Sequence, residues 1–291
     1  MKRLKIGING FGRIGRTIFR ILQEQDLFDV AVINDVNPDV ASLAYQLRYD
    51  SVRGGFPGKI VVGEGKLTIN DRDIDVYHRA NIVDVPWSDR VDVLIDSSGV
   101  RENIAAISTT ALCCESDGHY IHTHAVHAAY PERRRDLTPS IAESVKTVVF
   151  GANEAEFAPA RDRLISASIC DTIALGPIIK LIEDAYGIES GSLTTLHPWL
   201  GDQNLMDGNP DPRRTNDNMH SHYSLARAAV NNLIPKSTTA VRAADAVFPL
   251  LSEKIESFSY RVPTDVVASA VLNLALTKPA DQADLIEKFY Q

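Results

Sequence analysis

The 291-residue sequence predicts an α/β chain of two domains, the first a doubly wound parallel sheet and the second α+β with a mixed sheet. Three observations predict it. Short β-rich runs alternate with helical ones at the start of the chain, the order that builds parallel sheets. A glycine-rich turn joins the first such run to the first helix. The length is also about twice the roughly 150 residues of a common domain.

The elements follow in order. Leu4–Ile8 reads as a buried strand. Ile14, Ile18, Ile21 and Leu22 recur at i, i+4, i+7 and i+8, which lines one face of a helix with apolar side chains. Val30–Ile33 is a second strand and Val91–Ile95 a later one, so the connections are right-handed parallel crossovers. Thr147–Phe150 closes the first domain, expected over residues 1–151. The second, 152–291, is expected to open on a strand at Leu164–Ser168. A helix follows with Leu175, Ile178, Ile179, Ile182 and Tyr186 on one face and Gly187 placed to end it. Residues 207–222 are polar and turn-rich and read as a long exposed loop, a kind that is often functional. Arg133–Arg135 reads as a solvated basic face.

Composition excludes several classes. Hydrophobic residues make up 44% and charged residues 23%, an ordinary globular balance. The 30 Lys and Arg against 38 Asp and Glu leave a net charge of −8, which argues against nucleic acid or an anionic membrane as partner. No apolar run reaches the roughly 18 residues of a membrane span. Lys2, Arg3 and Lys5 resemble the basic start of a secretory leader, but Gly7, Gly10, Gly12 and Gly15 interrupt any apolar segment behind them. Three cysteines cannot make a disulfide framework. A soluble cytoplasmic protein is expected.

Gly10-Phe11-Gly12-Arg13-Ile14-Gly15 matches G-x-G-x-x-G, a weak pattern alone. Here it follows a predicted strand, opens a predicted helix, and is followed after a second strand by Asp35, the context that a dinucleotide fingerprint needs. The glycines allow a tight turn and close approach of a pyrophosphate, while the helix start offers free N–H groups. Asp35 would accept hydrogen bonds from ribose hydroxyls and repel a 2′-phosphate, which favours NAD over NADP.

Cys170 lies where a strand hands over to a helix, and a helix N-terminus favours the thiolate. A nucleophilic cysteine beside a nicotinamide suggests aldehyde oxidation through a thioester. Such chemistry needs a base, and His197 follows the short strand Leu193–Leu196. A buried cysteine or histidine serves the core more often than catalysis, and spacing leaves both readings open.

Longer stretches settle the family. Ile6–Arg16 resembles the N-terminus of the glyceraldehyde-3-phosphate dehydrogenase family almost letter for letter. Asn34-Asp35, Tyr49–Val52 with Gly54, Asp184–Ile188, Thr194–His197 with Asp202-Gln203, Ile234–Thr238 and Arg261–Thr264 are similar too, in the family's order. The resemblance implies that Gly10, Phe11, Gly12, Arg13, Ile14, Gly15, Asn34 and Asp35 hold NAD, with Thr123 on a later strand leading to the cofactor. It also implies that Cys170 is the nucleophile and His197 its base. Thr238 matches a residue of the inorganic-phosphate site and Arg261 one that holds the substrate phosphate, while Arg227 resembles a further phosphate-side arginine. The implied substrate is a small phosphorylated aldehyde, glyceraldehyde 3-phosphate, and the implied assembly a homotetramer.

The chain also departs from the family. Where the family reads Ser-Asn-Ala-Ser-Cys-Thr-Thr-Asn, this chain has Ser166-Ala167-Ser168-Ile169-Cys170-Asp171-Thr172-Ile173. Ile169 removes a hydroxyl near the attacking phosphate, Asp171 sets a carboxylate beside the thiol, and Ile173 replaces a supporting amide. Leu200 stands where the family has a threonine for the substrate phosphate. Family members continue past the segment matching Leu274–Gln291, so loose nicotinamide positioning and an incomplete sheet are expected. These departures motivate two alternatives: hydrolytic release of the thioester, as in erythrose-4-phosphate dehydrogenase, or a dinucleotide-binding relative without chemistry. Finally, Cys113, Cys114, His119, His122, His124 and His127 crowd together. They match no zinc spacing, so no metal is expected, and alternation should send His122 and His124 to one face and His119 to the other.

Overall fold

The computed structural model describes residues 3–25, 27–110, 112, 118–126, 139–201, 203–209, 223–266 and 268–290. The chain divides into two compact units, Met1–Ile173 and Ala174–Gln291. The triple arginine, Cys113, Cys114 and His127, and most of the 207–222 loop lie outside the described residues.

The first unit begins as the sequence predicts: β1 (Leu4–Asn9), α1 (Arg13–Glu24), β2 (Phe28–Asn34) and α2 (Val40–Arg48). A short hairpin of β3 (Tyr49–Asp50) and β4 (Gly54–Gly55) precedes β5 (Ile60–Gly63), β6 (Lys66–Ile69) and β7 (Arg72–Tyr77). Then come β8 (Val93–Asp96), α3 (Asn103–Ser108), β9 (His119–His122), α4 (Pro139–Ser144), β10 (Val145–Thr147) and β11 (Leu164–Ser166). Among the described residues these build a nine-stranded sheet in the order β10-β11-β9-β8-β1-β2-β7-β6-β5. All pairings are parallel except those of the β5–β6–β7 meander at one edge. Ile6, Ile8, Val32, Ile33 and Leu94 are almost fully buried, as expected of central strands covered on both faces.

The buried face of α1 matches the apolar spacing only in part: Ile18 packs against the core and Leu22 is buried. Ile14 and Ile21 are exposed, and the buried side is Gly15, Phe19 and Leu22 with Arg20. The cause is the turn. A Cβ on Gly15 would stand 2.1 Å from the Gly10 carbonyl oxygen, so the helix must present this glycine to the sheet. Phe19, four residues on, then meets Phe11 edge-on at 5.6 Å. Burial of that phenyl ring contributes about 2–3 kcal/mol. The Arg20 guanidinium donates from Nη2 to the carbonyls of Leu47 and Gly54 and lies over Phe56, which gives the buried charge polar and aromatic neighbours.

The strand at Leu164–Ser166, expected to open a second domain after residue 151, instead joins the first sheet between β9 and β10. Its pairing extends the first unit to Ile173.

The helix α5 (Cys170–Tyr186) starts at the end of the first unit and continues into the second, where it leads into β12 (Ile188–Pro198). Gly187 between them has φ +69°, and a Cβ there would meet Thr277 Oγ1 at 2.2 Å, so this helix end requires glycine. After β13 (Ile234–Lys236) come α6 (Ala240–Ala244), α7 (Leu251–Lys254), β14 (Ile255–Val262), β15 (Ser269–Leu276) and α8 (Gln282–Tyr290). The described strands form a mixed sheet, β13-β14-β12-β15, with β12 parallel to β14 and antiparallel to β15. Ile179, Ile182 and Tyr186 of α5 pack with Ile188, Leu193 and Ile255. Among the described residues no helix is long and apolar enough to cross a membrane.

Candidate active site

The sheet order reverses between β1 and β8: the chain passes from β1 to β2 on one side and returns later to β8 on the other. Open α/β sheets bind ligands at such a switch point, outside the carboxyl ends of the strands. The G-x-G-x-x-G turn sits there. Gly10 has φ +85°, and a Cβ on it would lie 2.5 Å from Ser98 Cα at the end of β8. Gly12 differs from its neighbours, because a Cβ there would meet nothing within 4 Å among the described residues. Protein packing therefore requires Gly10 and Gly15, whereas the space over Gly12 stays open for a ligand. Among the described residues no side chain caps α1, whose first turn follows Gly12 directly. An open cradle at an uncapped helix start fits the pyrophosphate of a dinucleotide.

Asp35 follows β2 and faces this turn. Its carboxylate accepts the Phe11 N–H at 2.7 Å and the Asn37 N–H at 2.9 Å. Each carboxylate oxygen has a further lone pair for a ribose hydroxyl. Arg16 clamps the same turn by donating to the Phe11 carbonyl. Phe11 itself is buried, so only its backbone lies at the crevice, whereas Arg13 and Ile14 are exposed. Asn34 serves the scaffold: its amide bonds Asn9, and the Arg79 backbone on both sides. Thr123 follows β9, half-buried, with its N–H on the Asp96 carbonyl.

A buried hub beneath the switch point escapes the sequence reading. Asn9 and Asp96 close the paired strands β1 and β8 in register. The Asp96 carboxylate, with no exposure, accepts from Asn9, Ser98, Asn103 and the Tyr120 hydroxyl at 2.7–3.0 Å. His122 Nδ1 lies 3.1 Å from the same hydroxyl and 3.5 Å from the carboxylate. Burial alone would raise the Asp96 carboxyl. Hydrogen bonds from His122, Ser98, Tyr120 and Asn103 outweigh it and hold the group well below the usual carboxylate range. The available signal was a polar residue ending each of two apolar strand runs. His119 sits apart from this face with Nε2 on the Pro159 carbonyl, while His122 and His124 share the other face, as alternation requires.

Cys170 is the first residue of α5 and is exposed. Its Sγ lies 3.9 Å from Asp171 Oδ1. Two residues before it, Ser168 holds φ +62° while almost wholly buried, and among the described residues its hydroxyl has no hydrogen-bond partner. A left-handed serine in this position stores backbone strain at the helix entry. Ile173 is exposed on the first turn.

In the second unit the parallel register of β12 and β14 sets His197 opposite Arg261. The Arg261 guanidinium contacts His197 Nδ1, which also lies 2.7 Å from the Pro198 carbonyl. Two residues far apart in sequence thus become cross-strand neighbours. Thr238 follows β13, its hydroxyl accepting the Ala240 N–H at the start of α6. Arg227 is exposed and ion-paired to Asp207 at 3.3 Å. Gln203 braces that segment through the carbonyls of Ser224, Leu225 and Arg227. Leu200, in place of a threonine, is partly exposed after β12.

Comparison with known proteins accounts for this arrangement. Residues 4–104 match the family model described as glyceraldehyde 3-phosphate dehydrogenase, NAD binding domain, and residues 169–291 match its C-terminal domain. The chain belongs to the glyceraldehyde-3-phosphate dehydrogenase family. Among its relatives, glyceraldehyde-3-phosphate dehydrogenase 1 of Streptomyces arenae is 34% identical over 276 residues, covering 94% of this chain and 74% of the relative. The enzyme of Ogataea parapolymorpha is 35% identical over 284 residues, covering 96% and 76%. That of Schizosaccharomyces pombe is 33% identical over 282 residues, covering 97% and 76%. Family membership gives the glycine turn its ligand class: the first unit carries the NAD-binding domain of glyceraldehyde-3-phosphate dehydrogenases.

Proposed function

We propose that this protein oxidises glyceraldehyde 3-phosphate with NAD, through a thioester on Cys170 that inorganic phosphate releases. The single observation that carries the reading is the joint match of both family domains; that Cys170, which opens a helix, is the nucleophile rests on the sequence resemblance. Bound NAD would supply the hydride acceptor. Gly10, Phe11, Gly12, Arg13, Ile14, Gly15, Asn34, Asp35 and Thr123 would hold it.

The other roles belong to this chain's side chains. Cys170 Sγ adds to the aldehyde carbon while His197 takes the thiol proton and passes it to the carbonyl oxygen, giving the hemithioacetal. His197 then accepts that hydroxyl proton as the carbon is oxidised to the thioester. Arg261, Thr238 and Arg227 are the residues proposed to hold the two phosphates, the planar guanidinium of Arg261 being suited to bidentate contact. Attack of inorganic phosphate on the thioester carbon expels the Cys170 thiolate and completes the cycle. The first unit, to Ile173, is proposed as the cofactor-binding portion that also carries Cys170 at its end, and the second as the portion that supplies the other catalytic side chains, acting as a cytoplasmic homotetramer.

A turnover assay on the full chain tests this. NADH should appear with glyceraldehyde 3-phosphate and NAD, and its steady rate should depend on inorganic phosphate. A rate indifferent to phosphate would replace phosphorolysis by hydrolysis; no turnover at all would remove the reading.

A further inference from the structure

One ring nitrogen in the second unit has two partners that it cannot satisfy together. The parallel register of β12 and β14 pairs His197 with Arg261. Two residues earlier on the same face, the buried hydroxyls of Thr195 and Ser259 bond at 2.8 Å and fix that register. His197 Nδ1 touches Arg261 Nη1 and lies 2.7 Å from the Pro198 carbonyl oxygen. A guanidinium only donates, so the first contact needs a lone pair on Nδ1. A carbonyl only accepts, so the second needs a hydrogen on the same atom. In an uncharged imidazole the choice at Nδ1 decides the other nitrogen. With Arg261 engaged the proton sits on Nε2; with the carbonyl engaged Nε2 holds a lone pair.

The two states differ in what the ring can do. Nδ1 is turned to Arg261 and Pro198 within its own sheet, so Nε2 is the nitrogen that must receive the thiol proton. In the state engaged by Arg261, Nε2 already carries a proton and can receive no other. Resting on the function proposed above, we propose that Arg261 is a positioning residue for His197, holding the imidazole in the tautomer that cannot act as base until the substrate phosphate draws the guanidinium away. Phosphate can do so, because the planar guanidinium offers it paired, charge-assisted hydrogen bonds against a single one to a neutral ring. Arg261 Nη1 also stands 3.4 Å from the Pro198 carbonyl, so its withdrawal leaves that carbonyl and Nδ1 to each other. Nδ1 then takes a proton from water and Nε2 gives its proton to water, so the ring stays uncharged and no proton is gained or lost. The part of the substrate that does not react thereby switches on the base, and phosphorylated aldehydes are selected through rate as well as through binding.

The experiment follows the ring protons. In the full chain with nitrogen-15 histidine, at about pH 8 and so above the ordinary imidazole value of about 6.5, long-range proton–nitrogen correlation tells N–H from lone-pair nitrogens. The His197 signals are those that His197→Gln removes. The probe is glycerol 3-phosphate, which carries the phosphate and no aldehyde. His197 should be protonated on Nε2 without the probe and on Nδ1 when the probe saturates the chain. A proton on Nδ1 in the free chain overturns the inference. So does a proton that stays on Nε2 while calorimetry shows the probe bound, or probe binding that Arg261→Ala leaves unweakened. Kinetics give a second arm. Arg261→Ala should slow oxidation of glyceraldehyde 3-phosphate yet speed that of unphosphorylated glyceraldehyde about tenfold, the factor one charge-assisted hydrogen bond is worth. A role in phosphate binding alone would leave the second rate unchanged, so an unchanged rate in the folded variant also overturns the inference. Should that variant not fold, the tautomer of the unsubstituted chain decides. Failure of the probe to bind a chain that oxidises glyceraldehyde 3-phosphate removes this inference alone; absence of turnover removes the proposed function and the inference together.

Discussion

The glycine turn of the first unit and the α5 entry that carries Cys170 do comparable jobs by different means. At the turn, backbone geometry does the work: two glycines are required by the protein and a third leaves open space. Its binding groups are N–H donors of a helix start, which no substitution of a side chain removes. At the α5 entry and on β12 and β14, side chains do the work: a thiol beside a carboxylate, and a histidine set against an arginine by strand register. The difference teaches where this family can vary. A backbone site tolerates change in surrounding side chains, whereas every replacement around Cys170 alters the local charge or polarity.

The strongest way to break the comparison is at Cys170. Cys170→Ser should lower NADH production by roughly 10^3-fold or more, since the hydroxyl is a poor nucleophile without strong activation. NAD binding, measured by calorimetry, should persist, because the turn is built without Cys170. Undiminished turnover in this variant would remove Cys170 as nucleophile. Next in size is the hub that supports the turn from below. Asp96→Ala leaves Asn9, Asn103 and Tyr120 short of a buried partner and should cost about 2–4 kcal/mol in urea unfolding at pH 7. The pH dependence has a definite sign. The folded Asp96 carboxyl sits below its unfolded value, so its contribution is full above the unfolded value near 4 and is lost as pH falls toward the folded one. An Asp96→Asn variant should therefore approach the stability of the unsubstituted chain as pH drops below about 4. A gap that stays constant with pH would show that the carboxylate charge is not what the hub uses.

The same contrast explains what the sequence made legible. The β1–turn–α1–β2 unit was readable because each of its parts is local: a strand run, a glycine spacing, an acid at the next strand end. Even there the spacing was right only in part: Ile18 and Leu22 turn to the core while Ile14 and Ile21 do not, since the Gly15–Gly10 contact rotates the face that hydrophobic periodicity suggests. The placement of β11 was not readable, because a three-residue strand carries no mark of the sheet it joins. His197 opposite Arg261 and Asn9 opposite Asp96 depend on register between distant strands, which no local pattern encodes. The positions of Cys170 and His197 were supplied by family resemblance rather than by spacing.

The glycines sharpen the comparison, because they separate packing from binding. Gly10→Ala forces a side chain into the Ser97–Ser98 backbone at a positive φ and should destabilise the fold by about 1–3 kcal/mol. Gly12→Ala has room, and its thermal midpoint should move by only a degree or two, while NAD affinity should fall at least about tenfold as the new methyl occupies the pyrophosphate cradle. If Gly12→Ala binds NAD normally, the open space over that residue is not where the dinucleotide sits.

The smallest effect concerns a polar contact within the second unit, and it asks whether that unit depends on charge as the first does at Asp96. The Tyr186 hydroxyl, at the end of α5, donates to Asp284 of α8 at 2.6 Å. That hydrogen bond, with burial and the nearby carboxylates Asp284 and Asp281, pushes the phenol up to about 12. A raised folded value means that the contribution is complete below the unfolded value near 10 and is lost as pH rises through 12. Ultraviolet titration of phenolate formation should therefore show one tyrosine ionising late, and Asp284→Asn should bring it back toward 10. The thermal midpoint at neutral pH should fall only slightly, because the ring of Tyr186 stays packed in the core around Ile179 and Ile182 without its acceptor. A large loss of stability in Asp284→Asn would show instead that the second unit leans on its polar contacts as heavily as the first leans on Asp96.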